Sequence, residues 1–404
     1  MKKNAKVLSM ILAGAMALSL AGCSSSGSKE GAEETMVKSE ETAAGEAGAE
    51  TSKAPEAGAA DAAGETYQIG VIQLVQHDAL DAANKGFFAA LDEAGIDYEA
   101  DQQNASGEQA NCMTIAEKLV NDGSDLILAI ATPAAQAVAG VTDEIPVLLT
   151  AVTDPAESGL VNDNEKPGVN VSGTSDLTPV KEQIDLLQQL LPEAKKIGLL
   201  YCSAESNSQL QIAMAEEACK AAGLSYEEYT VPSSNEIQSV VESMVGKVDA
   251  IYAPTDNVIA AGMSTVAMVA TDNKIPVICG EAGMVNAGGL ATYGIDYYQL
   301  GYMTGEQAIE VLTKGADVAE MPIGYLPAER CALTVNKTTA DALGIDISGL
   351  EGAEIVEKEK ESVHGVEKRL VYLLQFMALW HRASCGGSWS WACTSPTGFW
   401  ILQI

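Results

Sequence analysis

Short runs of apolar residues, with no polar residues alternating between them, mark the strands that this sequence predicts. The runs are Ile69 to Leu74, Leu126 to Ile130, Val147 to Leu149, Ile197 to Tyr201 and Val277 to Cys279. Such continuous runs are typical of parallel strands buried on both faces. Amphipathic stretches predict helices between them, over Ala82 to Ala94, Glu108 to Val120, Leu177 to Leu190, Asn207 to Ala222, Asn257 to Thr271 and Tyr298 to Thr313. Strands that alternate with helices predict an α/β fold with doubly wound parallel sheets.

Two copies of one plan follow each other along the chain. The Ile-Gly pair of YQIGVIQL, at Ile69, returns 128 residues later in KKIGLLYC, at Ile197. AGIDYE returns as AGLSYE, DLILAIAT as DAIYAPT, and EIPVLL as KIPVIC. Four matches in the same order predict two similar lobes, each with its own parallel sheet.

The predicted lobe boundaries lie where the repeated pattern breaks. Lobe 1 covers residues 66–175 and about 297–327, and lobe 2 covers residues 176–296 and about 328–350. The breaks are VNVSGTSDLTP, ATYGIDYYQLG and the passage from Tyr325 to Cys331. They predict three crossovers between the lobes, which together make a hinge.

The N-terminal segment differs from this body. Residues 1–22 are predicted to be a signal peptide, because lysines precede an apolar run too short to span a membrane comfortably. Leu20-Ala21-Gly22-Cys23 looks like a bacterial lipobox, which predicts a lipid on Cys23 and an extracytoplasmic protein anchored to the cell membrane. The alternative is an ordinary secretory peptide with an accidental cysteine. Residues 23–65 are acidic and poor in apolar residues, so they predict a flexible tether.

The segment 363–404 has a composition unlike the rest of the chain. It is basic, and it holds all four tryptophans and two of the three histidines. It shows no continuous hydrophobic period. Two interpretations stay open, a genuine amphipathic tail or a segment read in a shifted frame.

Charge and residue usage argue against several function classes. A net charge of −33 without a basic stripe argues against nucleic acid as a partner. The body has no G-x-x-x-x-G-K-[ST] loop, no G-x-S-x-G elbow and no H-E-x-x-H pair, so we expect no enzyme, no cofactor and no metal site. Free buried thiols are predicted for the body cysteines, which lack C-x-x-C spacing: Cys112, Cys202, Cys219, Cys279 and Cys331.

Polar residues cluster just after the predicted strands, where open parallel sheets bind their ligands. In lobe 1 these are His77, Thr132, Thr153 and Asp154. In lobe 2 they are Ser206, Asn207, Thr255, Asp256, Asn257 and Glu281 with Ala282, and the crossovers add Ser175, Asp176 and Asp296. Because the two sets face each other, we expect them to contact one small molecule.

A free amino acid suits this set. Thr132 as N-cap, with Pro133 as the first helical residue, would free the amides of Ala134 and Ala135 to bind a carboxylate. The ammonium group has four candidate acceptors, each of which could equally cap a helix or form a turn: Asp154, Asp256, Glu281 and Asp296. An aromatic side chain could stack on a tyrosine, although each candidate could also belong to the core: Tyr201, Tyr252 and Tyr297.

Several stretches resemble a known family. IQLVQHDALDAANKGF, IATPAAQAVAG, TAVTDPAESGLV, NVSGTSD, PTDNVI and GEAGMVNAGGLATYGIDYYQLG are similar to substrate-binding lipoproteins of ABC importers of the TrpX-like type, often associated with tryptophan or tyrosine uptake. The resemblance covers about Tyr67 to Ile347. It implies a two-lobed periplasmic-binding-protein fold of type I, with the ligand in the interlobe cleft and delivery to a permease driven by a separate ATPase. The alternative is a sensor that presents the same ligand to a membrane receptor.

Overall fold

The computed structural model describes residues 66–327, 330–357, 391–393 and 400–402. The predicted signal peptide, the lipidated Cys23 and the tether lie outside the described residues. So does most of the predicted tail, of which only an antiparallel pair of strands is described, Trp391–Cys393 with Trp400–Leu402. Within the described residues, no helix has both the length and the hydropathy needed to cross a bilayer.

The first lobe is built on a six-stranded sheet. Its strands are β1 (Tyr67–Gln73), β2 (Tyr98–Asn104), β3 (Leu126–Ile130), β4 (Val147–Val152), β5 (Val171–Ser175) and β11 (Gly324–Tyr325), in the order β11-β5-β4-β3-β1-β2. All pairs are parallel. The helices are α1 (Asp78–Ala94), α2 (Gln109–Asn121), α3 (Thr132–Ala139) and α10 (Tyr297–Lys314), with a 3-10 turn over Val318–Glu320. One continuous apolar core fills this lobe.

The second lobe repeats this plan on a seven-stranded sheet. Its strands are β6 (Lys196–Cys202), β7 (Ser225–Val231), β8 (Ala250–Ala253), β9 (Val277–Cys279), β10 (Ala291–Gly294), β12 (Ala332–Asn336) and β13 (Glu354–Val356), in the order β13-β12-β10-β9-β8-β6-β7. Its helices are α4 (Val180–Leu190), α5 (Ser206–Ala222), α6 (Ile237–Met244), α7 (Asn257–Ala261), α8 (Met263–Asp272), α9 (Ala282–Asn286) and α11 (Lys337–Leu343), with a 3-10 turn over Ser234–Glu236. Separate apolar cores pack on its two faces.

The predicted α/β class with two sheets is confirmed, with one correction. β12 runs antiparallel to β10, so the second sheet is mostly rather than wholly parallel. Six residues separate β11 from β12, which is too few for the helical crossover that joins successive parallel strands.

Two further differences concern local pattern. β2 and β7 lie at sheet edges with mostly exposed side chains, so they lack the apolar runs that marked the other strands. The helix predicted over Asn257 to Thr271 is divided into α7 and α8 at Gly262, where an added Cβ atom would lie 2.3 Å from Ile237 Cδ1. The predicted free cysteines are confirmed, and all but Cys331 are fully buried.

Three short passages join the two sheets. Residues 176–179 lead from β5 to α4, residues 295–296 lead from β10 to α10, and residues 326–331 lead from β11 to β12. The strands that these passages connect lie toward one edge of each sheet: β5 and β11 in lobe 1, and β10 and β12 in lobe 2. The opposite edges, which carry β2 and β7, are free of crossovers.

Helices α1 and α10 pack against each other through glycine. A Cβ atom on Gly86 would lie 1.9 Å from the Tyr298 carbonyl oxygen, and one on Gly301 would lie 1.9 Å from that of Ala83. No side chain fits in such a space, so the two helix backbones are in direct contact. The return crossover is thereby fixed to lobe 1 as soon as α10 begins.

Replacement of Gly301 by alanine should therefore destabilise the protein. We expect the free energy of unfolding to fall by about 1–3 kcal/mol, the usual cost of an overpacked contact. Urea unfolding followed by circular dichroism measures this change. Gly349→Ala is the matched control, because a Cβ atom there meets nothing within 4 Å. Equal stability of the two variants would contradict the packing argument.

Candidate functional site

The loops that follow the carboxyl ends of the two sheets meet across the cleft. Away from the crossovers, hydrogen bonds between described residues join lobe 1 to lobe 2: His77 Nε2 with Asn257 Oδ1 at 3.2 Å, Gln109 Nε2 to the Ala204 carbonyl at 3.0 Å, Gln136 Nε2 to Ser206 Oγ at 3.3 Å, and Gln211 Nε2 to Thr153 Oγ1 at 3.1 Å. The lobes are thus closed on each other. Polar side chains buried by this closure form the candidate site.

His77 presents an unused acceptor to the cleft. Asn257 Nδ2 donates to Glu205 Oε2 at 2.6 Å, so Asn257 turns its oxygen toward His77. His77 must then donate through Nε2, and the lone pair on its buried Nδ1 has no partner within the described chain. Burial lowers the pKa of His77, although the hydrogen bond with Asn257 and the nearby Asp81 and Asp78 act to raise it. The lowered pKa favours the neutral form of the imidazole.

Glu205 lies at the centre of a buried network in lobe 2. Its carboxylate accepts hydrogen bonds from the Asn257 amide and the Val258 amide, each at 3.2 Å, and from Asn207 Nδ2 at 3.2 Å. Burial, and secondly the neighbouring Asp256, raise the pKa of Glu205 to about 8, although the hydrogen bonds from Asn257 and Asn207 oppose the shift. Asn207 in turn leaves its Oδ1 buried without a partner among the described residues.

Asp256 has no oxygen to spare. Its Oδ1 caps α7 by accepting from the Ile259 amide at 2.8 Å, and its Oδ2 accepts from the Cys202 amide at 2.6 Å and from Ser208 Oγ at 2.7 Å. Burial raises the pKa of this carboxyl group. Of the two roles that the sequence left open for Asp256, the geometry fits helix capping.

Asp176, on the first crossover, does have a free oxygen. Its Oδ2 accepts from the Tyr297 hydroxyl at 2.7 Å, while its buried Oδ1 has no partner within the described chain. Burial raises the pKa of Asp176 to about 6, despite the opposing hydrogen bond from Tyr297. Sequence reasoning placed Asp176 at the hinge but did not rank it among the ammonium acceptors.

A second buried chain of hydrogen bonds links both lobes behind these groups. Gln211 Nε2 contacts Thr153 and also donates to Thr255 Oγ1 at 2.6 Å, while its Oε1 accepts from the Thr255 amide at 3.2 Å. Ser175 Oγ donates to the Thr153 carbonyl at 2.7 Å. These predicted site residues lie together, and their side chains are mostly occupied by one another.

The Thr132 passage differs in detail from the sequence prediction. Helix α3 begins at Thr132, so the cap is Ala131, which adopts φ 81° and ψ 150°, and Pro133 is the second helical residue. The Ala135 amide donates to the Ala131 carbonyl at 3.0 Å, so it does not face the cleft as predicted. In the described chain the Ala134 amide stays available, and Thr132 Oγ1 is buried without a partner.

Three other predicted residues do not contact the buried polar residues of the candidate site. Tyr201 belongs to a core of lobe 2 and donates to Glu228 Oε2 at 2.5 Å, and Tyr252 is fully buried and donates to Gln183 Oε1 at 2.8 Å. Neither tyrosine forms a wall of the cleft. Asp154 instead organises a turn, with Oδ1 accepting from the Ala156 and Glu157 amides and from Asn164.

The remaining candidates lie on the hinge side. Glu281, Ala282 and Asp296 line a cavity of about 550 Å³ between α1, α9 and the second crossover. Glu281 caps α9 by accepting from the Met284 amide at 2.8 Å, and exposed Asp296 caps α10 by accepting from the Gln299 amide at 3.1 Å. Burial raises the pKa of Glu281 to about 7, and nearby Asp78 and Asp176 add to the rise.

Two central residues were not among the predicted site residues: Glu205, although it lies in the polar stretch that follows β6, and Gln211. Both are buried, although charged and amide side chains are rarely buried without a role. Gln211 follows Asn207 by four residues, so a cleft-facing Asn207 at the start of α5 was a signal for Gln211 on the same helix face. In the described residues, no three His, Cys, Asp or Glu side chains are grouped to hold a metal ion.

The comparisons with known proteins agree with this architecture. A tyrosine-binding protein of Clostridioides difficile (strain R20291) is 38% identical over 368 residues, which cover 90% of this chain and 99% of that protein. A solved ABC domain in complex with L-Trp from Streptococcus pneumonia is 41% identical with a TM-score of 0.70, covering 72% of this chain and all of that one. A conserved domain protein from Vibrio cholerae, 34% identical with a TM-score of 0.70, covers 73% of this chain and all of that one.

A ligand-free, open structure of a substrate-binding protein with adhesive properties from Clostridium difficile gives a further contrast. It is 42% identical and covers 73% of this chain and 100% of its own, yet its TM-score is only 0.57. Identity and coverage are nearly those of the L-Trp complex, so the lower score agrees with the closed lobes found here. A family model of ABC transporter substrate binding proteins matches residues 68–353. The chain therefore belongs to the ABC transporter substrate-binding protein family, with its type I periplasmic-binding fold.

Proposed function

We propose that this protein captures a free aromatic amino acid, tyrosine or tryptophan, in the interlobe cleft and delivers it to a membrane permease. The observation that carries the proposal is a set of four buried polar atoms without partners in the described chain: His77 Nδ1, Asp176 Oδ1, Asn207 Oδ1 and Thr132 Oγ1. Buried polar groups are nearly always hydrogen-bonded, so these four atoms indicate a missing molecule.

Three of the four atoms are acceptors, and they suit an ammonium group. His77 Nδ1 accepts because Nε2 already donates, Asn207 Oδ1 accepts as an amide oxygen, and Asp176 Oδ1 accepts as a carboxylate oxygen. An ammonium group has three donors and one positive charge. It would offset the cost of burying Asp176, whose raised pKa reflects that cost.

The carboxylate of the ligand is assigned to the start of α3. Thr132 Oγ1 can donate a hydrogen bond, and the Ala134 amide lies in the first turn of the helix, where the helix dipole favours negative charge. Ala131 at φ 81° allows the chain to enter the helix without a side-chain cap. A residue that is strained in this way is often found at a functional site.

The aromatic class of the ligand rests on the relatives, one named as a tyrosine-binding protein and one solved in complex with L-Trp. The remaining parts of the proposal come from the sequence. The lipobox at Cys23 supports a protein anchored to the outer face of the cell membrane, and the lack of catalytic motifs supports a binding role without catalysis.

Asp176→Asn should separate ligand binding from folding. Loss of the charged acceptor should raise the Kd for L-tryptophan at least about 30-fold, equivalent to about 2 kcal/mol. The ligand-free variant should unfold at a temperature no lower than that of the wild type, because the variant removes a buried charge. Calorimetric titration and thermal unfolding measure the two effects. Asp154→Asn, in the turn outside the site, should leave the Kd unchanged, and an unchanged Kd for Asp176→Asn would refute the ammonium assignment.

Thr132→Val should weaken binding without changing the shape of the site. Removal of the hydroxyl group leaves a ligand oxygen unpaired, which costs about 1–3 kcal/mol, so we expect the Kd to rise about 5- to 100-fold. The same titration of Thr114→Val, on the exposed part of α2, provides the control. The carboxylate assignment fails if the two variants bind equally well.

The raised pKa of Glu205 makes ligand-free stability depend on pH. The folded protein holds this proton up to pH about 8, whereas the unfolded chain releases it near pH 4.5. Folding therefore takes up a proton, and the stability present below pH 4.5 is lost progressively as the pH rises to about 8. Glu205→Gln should flatten this slope, measured as urea midpoints at pH 5.5, 7.0 and 8.5. Exposed Glu193→Gln should keep it, and a wild-type slope in Glu205→Gln would contradict the argument.

A further inference from the structure

A cavity of about 270 Å³ lies between the lobes at the edge of the cleft farthest from the crossovers. Its walls are formed by loops that follow β1 and β2 in one lobe and β6 and β7 in the other. We call it the mouth cavity and define it by six apolar residues: Leu74, Val75 and Pro133 of lobe 1, and Pro232, Val258 and Ala261 of lobe 2.

The mouth cavity adjoins the site of the proposed amino-acid head group. Glu205 lines the cavity and also binds Asn207 and Asn257, the partner of His77. On the other side, Pro133 lines the cavity and directly follows Thr132, whose hydroxyl is without a partner in the described chain. A molecule held by His77, Asn207 and Thr132 therefore has the mouth cavity immediately beside it.

The size of the mouth cavity suits one side chain rather than a whole ligand. Sites for complete small molecules begin at about 300 Å³, and here the polar head group is bound outside the cavity. A short aliphatic side chain would leave much of the volume empty and would forfeit contacts with the walls. A ring would reach both walls at once.

The chemistry of the mouth cavity favours an uncharged ring over an acidic side chain. Glu108 lines it, so an acidic ligand side chain would meet like charge there, and none of the described lining residues is a lysine or arginine that could offset it. Acceptor oxygens that line the mouth cavity can accept a hydrogen bond from a phenol O–H or an indole N–H. Gln109 lines the cavity and carries such an oxygen, Oε1, while its Nε2 donates to the Ala204 carbonyl.

We propose that the mouth cavity receives the side chain of the bound amino acid, and that Val258 and Ala261 determine the preference for an aromatic ring. The inference rests on the proposed function, since it assumes that the head group is held by the four polar atoms described above. Its two walls belong to different lobes. The ring therefore contacts both lobes only when the cleft is closed, so side-chain recognition and closure occur together.

Filling the mouth cavity tests the proposal. Val258→Phe and Ala261→Phe each add a ring to the lobe 2 wall, and Ala261 is exposed, so its replacement should not disturb folding. Titration calorimetry on the full chain measures Kd for L-tryptophan and for L-alanine. We expect at least 10-fold weaker binding of L-tryptophan and unchanged binding of L-alanine, so that the ratio of the two affinities falls.

Val245→Phe, an exposed site in lobe 2 outside the cavity, is the matched control and should keep both affinities. Wild-type affinity for L-tryptophan in both cavity variants would overturn the proposal. An equal loss of affinity for L-tryptophan and L-alanine would also overturn the proposal, because it would indicate a general disturbance of the cleft. Failure of the wild-type protein to bind either amino acid would instead overturn the proposed function, and this inference with it.

Discussion

Burial of carboxyl groups without a cation is the constraint on which the cleft depends. Asp176, Glu205, Asp256 and Glu281 are all buried, and no lysine or arginine of the described chain contributes to their pKa shifts. Amides and hydroxyls hold these groups in place, often at helix starts, but fixed dipoles do not supply a full charge. Burial raises the pKa of each of these groups, so the cleft favours their neutral forms unless a cation is bound. Under the proposed function, the ammonium group of the ligand would be that cation, at Asp176.

The two lobes have similar folds, but the equivalent helices α3 and α7 begin with different residues. In lobe 2, Asp256 caps its own helix at the Ile259 amide, and Glu205 accepts from the Asn257 and Val258 amides. In lobe 1 the equivalent passage has Ala131 and Thr132, so the start of α3 has no side-chain cap. Under the proposed function, the start of the lobe 1 helix would donate to an anion, whereas the free acceptors lie on His77, on Asp176 of the first crossover and on Asn207 of lobe 2. This asymmetry would orient a zwitterion across the cleft, although both lobes have the same fold.

Features that depend on local pattern could be predicted from the sequence, and features that depend on distant partners could not. The apolar runs of β1, β3 and β6 and the repeat between the lobes predicted the fold because burial on both faces requires them. Because both faces of these strands are apolar, the sequence did not show which face Tyr201 occupies. In the structure Tyr201 packs in one core of lobe 2 and neighbouring Leu200 packs in the other. Glu205 acquires its role from Asn257, which is 52 residues away. No local pattern contains that contact.

The glycine contact between α1 and α10 has a mechanical consequence. Helix α1 starts at the cleft, directly after His77, and α10 starts at the hinge, two residues after β10 ends. With no side chains between their backbones at Gly86 and Gly301, the pair cannot slide or rotate by repacking. The pair should therefore move as one rigid body, with one end at the cleft and the other at the second crossover. A displacement of His77 would then be passed on to residues 295–296, whose backbone torsions are the nearest that could take it up.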